Sequence, residues 1–435
     1  MEQKNDKKII RSWAFFDWAN SAYNLVITST IFPAYYVAIT SNDTIQDRVS
    51  FFGWSFTNTA LSNYALSFAY LIMVLVLPVL SSIADYRGNK KIFMKFFTYM
   101  GALACMGLYF FKLESLEFGI ICFIVAAMGY IGGVLFNNSY LPEIATPSEQ
   151  DRVSAKGYAY GYIGSVVLQI ICFVFVLMPE LFGITDASFP PRLSFLLVGI
   201  WWIVFAQIPF RKLPAGSPNH SSINKRVVRS GFQELSKVWG QLKHMNFLKT
   251  FLFAFFFYSM GVQTIMLAAA GFGEKTLKLG TSKLIITILI IQLVAILGAI
   301  VMSNLAKRKG NVSVLIFVVI IWILACICGY FIHTEMQFYG LAAVVGLIMG
   351  GIQSLSRSTY SKYLPENTPD TTSFFSFYDV TEKVAIVIGL FCFAFIEEAS
   401  GSMRNSIIAL ASFFLIGLVF LLILRKVERK LVLAS

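Results

Sequence analysis

Apolar runs of about 20 residues recur along the whole chain, and each is long enough for a helix to cross the roughly 30 Å of a bilayer's hydrocarbon. Apolar residues make up 57% of the 435 positions and charged residues 13%, whereas soluble domains are about 25% charged. The apolar runs and the composition therefore predict an all-α membrane protein that is embedded in the lipid bilayer. A large soluble core would not need uninterrupted runs of this length.

The runs predict twelve transmembrane helices, with boundaries uncertain by a few residues. We place them at residues 13–40, 56–83, 91–111, 117–141, 157–178, 192–210, 247–273, 281–304, 312–332, 338–363, 373–396 and 404–425.

The net charge of +12 is also typical of a protein that binds nucleic acid, so the placement of the basic residues decides between the two. Most of the Lys and Arg residues fall on loops that share one side with the N-terminus. This asymmetry predicts a multi-pass protein of the cell (inner) membrane whose two termini are both cytoplasmic. No nucleic-acid partner is expected.

The longest connection between spans, residues 211–246, divides the chain into an N-terminal half (1–210) and a C-terminal half (247–435). This loop is strongly basic, and its apolar residues recur at helical spacing. We predict an amphipathic helix that lies on the inner leaflet; a cationic helix that binds a partner protein is the alternative. The apolar positions are Val228, Phe232, Leu235, Trp239 and Leu242.

The two halves are related in sequence. Residues 81–89 (SSIADYRGN) correspond to 303–311 (SNLAKRKGN), and the GGV and YLPE strings at 132–134 and 140–143 return as GGI and YLPE at 350–352 and 363–366. Both copies fall on the same side of the membrane. The chain is therefore predicted to be two parallel six-helix repeats related by an axis along the membrane normal.

Asp17 lies inside the first apolar run, where an ionised group is costly unless it faces a bundle interior or a wet cavity. Helical spacing places Asp17, Asn20, Ser21, Asn24 and Thr28 on one face. Asp17 is expected to bind substrate, carry a coupling proton or form a gate; a purely structural carboxylate near a helix N-terminus is the alternative. The repeat places Phe257 at the corresponding position, so the charge belongs to one half only.

The eleventh span carries Asp379, Glu382 and Lys383. Asp379 and Lys383 are four residues apart and are expected to neutralise each other, which leaves Glu382 as the less compensated charge. The candidates for proton coupling are therefore Asp17, Asp379, Glu382 and Lys383. A satisfied triad that only pins this helix is the alternative.

Two six-span halves, a basic central loop and residues 85–91 (DYRGNKK) together resemble the major facilitator superfamily. Four motifs resemble one branch of that superfamily, the vacuole-effluxer-like branch, which includes the fungal autophagy-related amino-acid effluxer. They are residues 16–23 (FDWANSAY), 138–145 (NSYLPEIA), 353–358 (QSLSRS) and 374–380 (FFSFYDV). The short loops resemble a bacterial-type member. The resemblance implies a secondary transporter with alternating access, and amino acids or related metabolites as a substrate class.

In that superfamily, spans one, four, seven and ten line the central path, so Arg357 near the inner end of span ten can meet Asp17. Such a pair would close the cytoplasmic side, or would bind the two charges of a zwitterion. Tyr23, beside the polar stripe, and Gln353, on the face of Arg357, complete the predicted substrate or gate residues with Asn20 and Asn24. An arginine that only snorkels to the interface is the alternative.

Asp85 and Gly88 are predicted to form a conformational lock. Gly88 permits a tight turn with positive φ, and Asp85 caps the third helix or binds across the interface of the halves.

The functional prediction is a secondary active transporter of a small polar solute, coupled to an ion, in the first place H⁺. The alternatives are a lipid flippase or scramblase on the same fold and a non-transporting membrane receptor. The sequence has none of the GxxxxGK[ST], HExxH or GxSxG motifs. No enzyme activity, cofactor or metal is therefore expected, and a monomer is predicted.

Overall fold

A computed structural model of the chain describes residues 4–41, 47–216, 225–366 and 368–432. The first predicted span contains two α-helices, α1 and α2, separated by a π-helical segment; most of the other spans are single helices. The α-helices are α1 (Lys7–Ala22), α2 (Phe32–Thr40), α3 (Asn58–Arg87), α4 (Lys90–Gly107), α5 (Leu116–Asn138), α6 (Leu141–Ile144), α7 (Gln150–Leu177), α8 (Phe189–Lys212), α9 (Lys225–His244), α10 (Asn246–Lys275), α11 (Thr281–Lys309), α12 (Asn311–Phe331), α13 (Glu335–Lys362), α14 (Thr371–Ser400) and α15 (Met403–Val432).

Across the described ranges, 11 helical segments are long and apolar enough to cross a membrane. The remaining predicted span is α14, which is 30 residues long and carries Asp379, Glu382 and Lys383 in its first half. Charge rather than length separates α14 from the others. The all-α membrane fold with two sets of six long helices is therefore confirmed.

The first span departs from the predicted continuous α-helix. Residues Tyr23–Ile31 form a π-helix, and the hydroxyls of Ser29 and Thr30 donate to carbonyl oxygens five residues earlier, at 2.9 and 2.7 Å. A π-helix has more residues per turn than an α-helix. The predicted common face from Asp17 to Thr28 is therefore wrong beyond Ala22.

The loop after the first span contains a β-hairpin that the sequence reading did not predict. Strands β1 (Arg48–Phe51) and β2 (Trp54–Thr57) pair antiparallel, with Phe51 opposite Trp54. The two-residue turn holds Phe52 at a φ of 48°. The second turn residue, Gly53, has a φ of 82° and is of the type that such turns favour. A phenylalanine at positive φ is rare, so the sequence signal for this turn is weak.

Each half has its own hydrophobic core. One cluster of buried residues extends from Ile10 to Leu213, and a second is built almost wholly from residues between Val238 and Leu424. The halves meet where α3 packs against α14 and where α7 packs against α11 and α13. The side chains that join the halves come from these contacts.

The predicted helix of the central loop is present as α9 and packs against α3. Val238 and Leu242 are buried, and the ring of Trp239 lies 5.6 Å from that of Phe377 on α14. The predicted apolar positions Val228 and Phe232 lie outside the residues whose side chains are described. The helix therefore contacts both halves, and its contact with the leaflet stays a prediction.

Candidate functional site

Asp17 and Arg357 form a buried ion pair across the two halves. Arg357 on α13 donates from Nη1 to Asp17 Oδ2 on α1 at 3.1 Å, and the two side chains are 3% and 11% exposed, respectively. The predicted meeting of these residues is therefore seen directly. Because both charges are withdrawn from water, removing one alone is expected to cost about 3 to 5 kcal/mol.

Three further hydrogen bonds hold the Arg357 guanidinium group, so that four of its five N–H donors have acceptors. Nη1 donates to Asn138 Oδ1 at 3.1 Å, Nε donates to Ser154 Oγ at 2.9 Å, and Nη2 donates to the Ser154 carbonyl oxygen at 2.8 Å. Asn137 Nδ2 donates to the second oxygen of Asp17 at 3.3 Å. The pair is thus held by three helices of the N-terminal half.

Two aromatic rings enclose the Arg357 guanidinium group. Its central carbon lies 4.7 Å from the Trp13 ring centroid and 4.2 Å from that of Tyr158. Trp13 is fixed by a hydrogen bond from Nε1 to the Asn137 carbonyl oxygen at 2.8 Å. Cation–π contacts add to the ion pair, so this arginine is not a snorkelling residue.

Gly157 on α7 is the position that leaves space for the pair. A Cβ atom there would lie 2.4 Å from Asp17 Oδ2 and 2.7 Å from Arg357 Nη2. These distances are too short for non-bonded atoms. Any larger residue at position 157 would push the two charged groups apart.

Three of the predicted gate or substrate residues lie away from this pair. Asn20 is buried next to Gly133, and its Oδ1 has no hydrogen-bond partner within the described residues. Tyr23 packs against Tyr130 and Trp202 inside the N-terminal half, and Asn24 is exposed. Because the π-helix begins at Tyr23, the side chains of Tyr23 and Asn24 leave the face of Asp17, whereas Asn20 stays within α1.

Gln353, also predicted, does join the halves. Tyr162 on α7 donates its hydroxyl to Gln353 Oε1 on α13 at 2.5 Å. Gln353 lies one helical turn before Arg357, on the side away from the start of α14. Gln353 therefore joins the two halves about one helical turn along α13 from the Asp17–Arg357 pair.

The expected Asp379–Lys383 pair on α14 is wrong. Lys383 Nζ instead contacts the adjacent Glu382 at 2.6 Å, and Glu382 also accepts a hydrogen bond from Gln263 Nε2 at 2.8 Å. Asp379 Oδ2 is buried without a hydrogen-bond partner in the part of the chain that is described. The carboxylate without a contact ion pair is therefore Asp379 and not Glu382, because a lysine side chain can turn toward the adjacent position; Asp379 remains within electrostatic range of Lys383 and Arg357.

A polar pocket lies between the Asp17–Arg357 pair and the α14 charges. Glu382, Gln263 and Gln353 supply polar groups, and tyrosine rings from both halves supply much of the wall. Its lining residues are Tyr158, Phe255, Tyr258, Ser259, Val262, Gln263, Ile352, Gln353, Ser356, Tyr378 and Glu382.

Two more tyrosines, Tyr70 and Tyr130, lie within electrostatic range of Glu382 and Lys383. The sequence reading missed these tyrosines. For Tyr70 and Tyr130 the sequence gives no such signal. For the tyrosines of α7 it does, because the spacing of four residues between Tyr158 and Tyr162 places both rings on one face of the helix.

The charges in and beside this pocket do not balance. Three carboxylates, Asp17, Asp379 and Glu382, face two basic groups, Arg357 and Lys383, so the cluster would carry one net negative charge if all five groups were ionised. A buried net charge is unfavourable unless it is paired. The cluster therefore favours one additional cation, either a proton or a basic group of a solute.

The predicted lock residues lie at the same interface. Asp85 accepts hydrogen bonds from the backbone N–H groups of Thr372 and Ser373 at 3.2 and 2.6 Å. Asp85 thus caps α14 of the other half and not α4, the helix of the third span. Gly88 ends α3 with a φ of 61°, as predicted.

Further links between the halves were not predicted. Thr371 on α14 donates to Glu143 at 2.9 Å, and Glu143 is held within its own half by Lys90 at 2.5 Å. Asp151 on α7 contacts Lys362 at 2.5 Å and accepts from Asn311 Nδ2 at 2.7 Å. Residues so far apart in sequence give no pairing signal in a single chain.

These links all lie toward one end of the molecule, which we name the terminal face: the end at which α1 begins, α15 ends and α9 lies. Among the described residues, the hydrogen bond from Tyr162 to Gln353 is the side-chain link between the halves that lies farthest from this face. Within the described residues, the two halves are therefore linked by side chains at the terminal face and show no such link at the opposite one.

Comparisons with known proteins agree with this architecture. A family model described as vacuole effluxer Atg22 like matches residues 5–434. The uncharacterized MFS-type transporter YxiO of Bacillus subtilis (strain 168) is 31% identical over 411 residues, which cover 94% of this chain and 93% of that protein. Autophagy-related protein 22 of Kluyveromyces lactis is 23% identical, over 84% of this chain and 79% of that one.

Solved structures of major facilitator transporters share the fold. The E. coli fucose:proton symporter FucP superposes with a TM-score of 0.67 at 15% identity, over 96% of this chain and 97% of that one. The human organic anion transporter MFSD10 gives a TM-score of 0.69 at 10% identity, over 96% of this chain and all (100%) of that one. The major facilitator fold is confirmed, and these relatives and neighbours are transporters and not enzymes.

Proposed function

Because the chain belongs to the Atg22-like vacuole effluxer family and is a transporter of the major facilitator type, we propose that it moves a small solute with an amino group. Amino acids are the proposed substrate class, because an ammonium group matches the carboxylate and tyrosine rings that line the polar pocket. In this conformation the pocket has a volume of about 10 Å³, which is room for about one water molecule, so solute binding requires the pocket to widen. The observation that carries this proposal is the excess of carboxylates, Asp17, Asp379 and Glu382, over the two basic groups of the same cluster.

The walls of the pocket support an amine as the bound group. Tyrosine faces attract cations, and the carboxylate of Glu382 lies among them. A solute ammonium group that binds Glu382 displaces Lys383, which then turns to Asp379, four residues earlier on the same face. Glu382, Lys383, Asp379 and the solute ammonium group each keep a partner in this exchange, and the carboxylate of an amino acid finds one only when the Asp17–Arg357 pair separates.

The Asp17–Arg357 pair acts as the gate at the terminal face. With both members paired to each other and enclosed by Trp13 and Tyr158, neither is free to bind a zwitterion in this conformation. Opening the terminal face requires the pair to separate, together with the contacts of Asp85 and Asp151 across the halves. Alternating access then exposes the same pocket to each side in turn.

Proton coupling is proposed at Asp379. Its buried oxygen without a partner is the group at which one proton neutralises the cluster when no solute amine is present. A proton that crosses 100 mV contributes about 2.3 kcal/mol, which corresponds to roughly fifty-fold accumulation. We place the protein in the cell membrane as a monomer, with its terminal face toward the cytoplasm.

A thermal-shift screen of the purified protein against amino acids, amines and sugars tests the substrate class. A ligand stabilises the folded protein by RT ln(1 + [L]/Kd), so an amine-bearing solute should raise the melting temperature of the wild type. The same solute should leave Glu382→Gln unshifted. Stabilisation by sugars and by no amine, or an equal shift in the variant, would reject the proposal.

A further inference from the structure

A groove opens on the side of the molecule where α1 and α7 of the N-terminal half meet α11 of the C-terminal half. Its cavity volume is about 470 Å³. It lies close to the terminal face, because Lys7 begins α1, Arg152 and Lys156 lie in the first two turns of α7, and Ser303 is near the end of α11. The central pocket and this groove share no lining residue.

The terminal-face end of the groove carries excess positive charge. Lys7, Arg152 and Lys156 line it, and Arg11 is a further cation near Lys156. Glu149 contacts both Arg152, at 2.6 Å, and Lys307, at 3.4 Å, so this one carboxylate is already shared. Among the described side chains, no carboxylate lies within ion-pair distance of Lys7 or Lys156.

The deeper part of the groove is apolar. Ile163 on α7 and Ile296 and Ile300 on α11 line it, and Ile163 and Ile300 are 38% and 45% exposed. Between the basic and the apolar parts lies Ser303, which is 2% exposed and whose hydroxyl has no hydrogen-bond partner in the described chain. The groove thus changes from cationic to polar to apolar along the direction of a membrane lipid.

We propose that this groove binds one anionic phospholipid from the leaflet at the terminal face. Its phosphate lies between Lys7 and Lys156, its glycerol ester region meets Ser303, and an acyl chain follows Ile163, Ile296 and Ile300. Basic pockets between transmembrane helices are suited to such headgroups. Because the groove contacts α7 and α11, the lipid joins the two halves and favours the conformation closed at the terminal face.

Native mass spectrometry of the full chain in a non-ionic detergent tests the site. Dioleoyl phosphatidylglycerol and dioleoyl phosphatidylcholine are titrated separately, so that only the headgroup differs. We expect one phosphatidylglycerol to bind in clear preference to phosphatidylcholine. Lys156→Gln and Lys7→Gln should each weaken its binding about five-fold, because a basic residue near anionic lipid contributes on the order of one factor of five.

Lys426→Gln is the matched control, since Lys426 is an exposed lysine on α15 near the same face but outside the groove. It should bind phosphatidylglycerol as the wild type does, and the melting temperatures of all three variants should match the wild type. Equal binding of the two lipids, or equal loss in Lys426→Gln, would overturn the proposal. Displacement of the lipid by millimolar inorganic phosphate would show a free-anion site and overturn it as well.

Discussion

At the scale of single residues, the central feature is a charge pair that one half alone cannot form. Asp17 was predictable as functional because a carboxylate inside an apolar run is costly, and Arg357 because it falls on a path-lining helix. The contacts that hold them, from Asn138, Ser154 and Tyr158, were not predictable. These depend on the packing of α5 and α7 against α13, which no short-range pattern encodes.

The ion pair gives the first prediction. Asp17→Asn should lower the stability of the protein by about 3 kcal/mol, because Arg357 stays buried without its counter-charge. The double variant Asp17→Asn with Arg357→Gln should recover much of this loss. Thermal unfolding in detergent measures both changes.

The control is Asp186→Asn, which breaks the pair of Asp186, 58% exposed, with Arg192, while Arg192 keeps its hydrogen bonds to Ser188. Hydrogen bonds from Ser188 hold the pKa of Asp186 below its usual range, so that carboxylate is ionised in the experiment. Its melting temperature should stay near that of the wild type. If both single variants melted alike, burial of the Asp17 pair would not matter to stability.

Gly157 gives a second prediction at this scale. Gly157→Ala places a methyl group 2.4 Å from Asp17 Oδ2 and should weaken the gate, which raises the reactivity of pocket residues toward reagents added at the terminal face. A cysteine introduced at position 263 and labelled with a maleimide reports this access. Gly340→Ala is the control, because a Cβ there meets no atom within 4 Å; equal labelling of the two would refute the steric role.

At the scale of helices, the sequence predicted the number and the length of the transmembrane helices well, but it did not predict local departures from α-helical geometry. The twelve spans follow from apolar length alone, and α9 from its periodic residues. The π-helix at Tyr23–Ile31 is fixed in part by tertiary structure, because Thr30 donates to Gln169 on α7 at 2.8 Å. The α14 triad was misassigned because helical spacing alone does not choose between two nearby carboxylates for one lysine.

The N-terminus of α14 gives a third prediction. Asp85→Asn weakens two hydrogen bonds to the backbone of Thr372 and Ser373 and removes a charge that favours this helix end. Hydrogen bonds to charged groups contribute about 1.5 to 3 kcal/mol. Amide hydrogen exchange at residues 371–374 should therefore accelerate at least about ten-fold. Unchanged exchange there, with Asp186→Asn as the matched control, would contradict a lock at this site.

At the scale of the whole molecule, the family and the fold were readable from the sequence, because duplicated motifs and apolar runs survive in one chain. The conformation was not readable. Closure at the terminal face rests on residues from both halves, among them Asp151 with Lys362 and Glu143 with Thr371. The composition of the central pocket was equally hidden, since its tyrosines come from helices in both halves.

The charge balance of the molecule gives a fourth prediction. Asp379→Asn removes the proposed proton site, so a pH gradient should no longer drive accumulation. Because Lys383 then lacks the carboxylate to which it turns when a solute amine binds Glu382, downhill solute exchange should be weakened but not lost. Uptake into proteoliposomes with and without an imposed pH gradient separates the two activities. Accumulation that still followed the gradient in this variant would place the coupling proton elsewhere.

Uptake of a radiolabelled amino-acid mixture into proteoliposomes is the most direct test of transport through this pocket. Wild-type protein should take up label above protein-free liposomes, and Glu382→Gln should reduce uptake to the protein-free level, because the variant loses the carboxylate that binds the solute amine. Lys426→Gln should match the wild type. Wild-type uptake no greater than that of protein-free liposomes, or undiminished uptake by Glu382→Gln, would contradict the account.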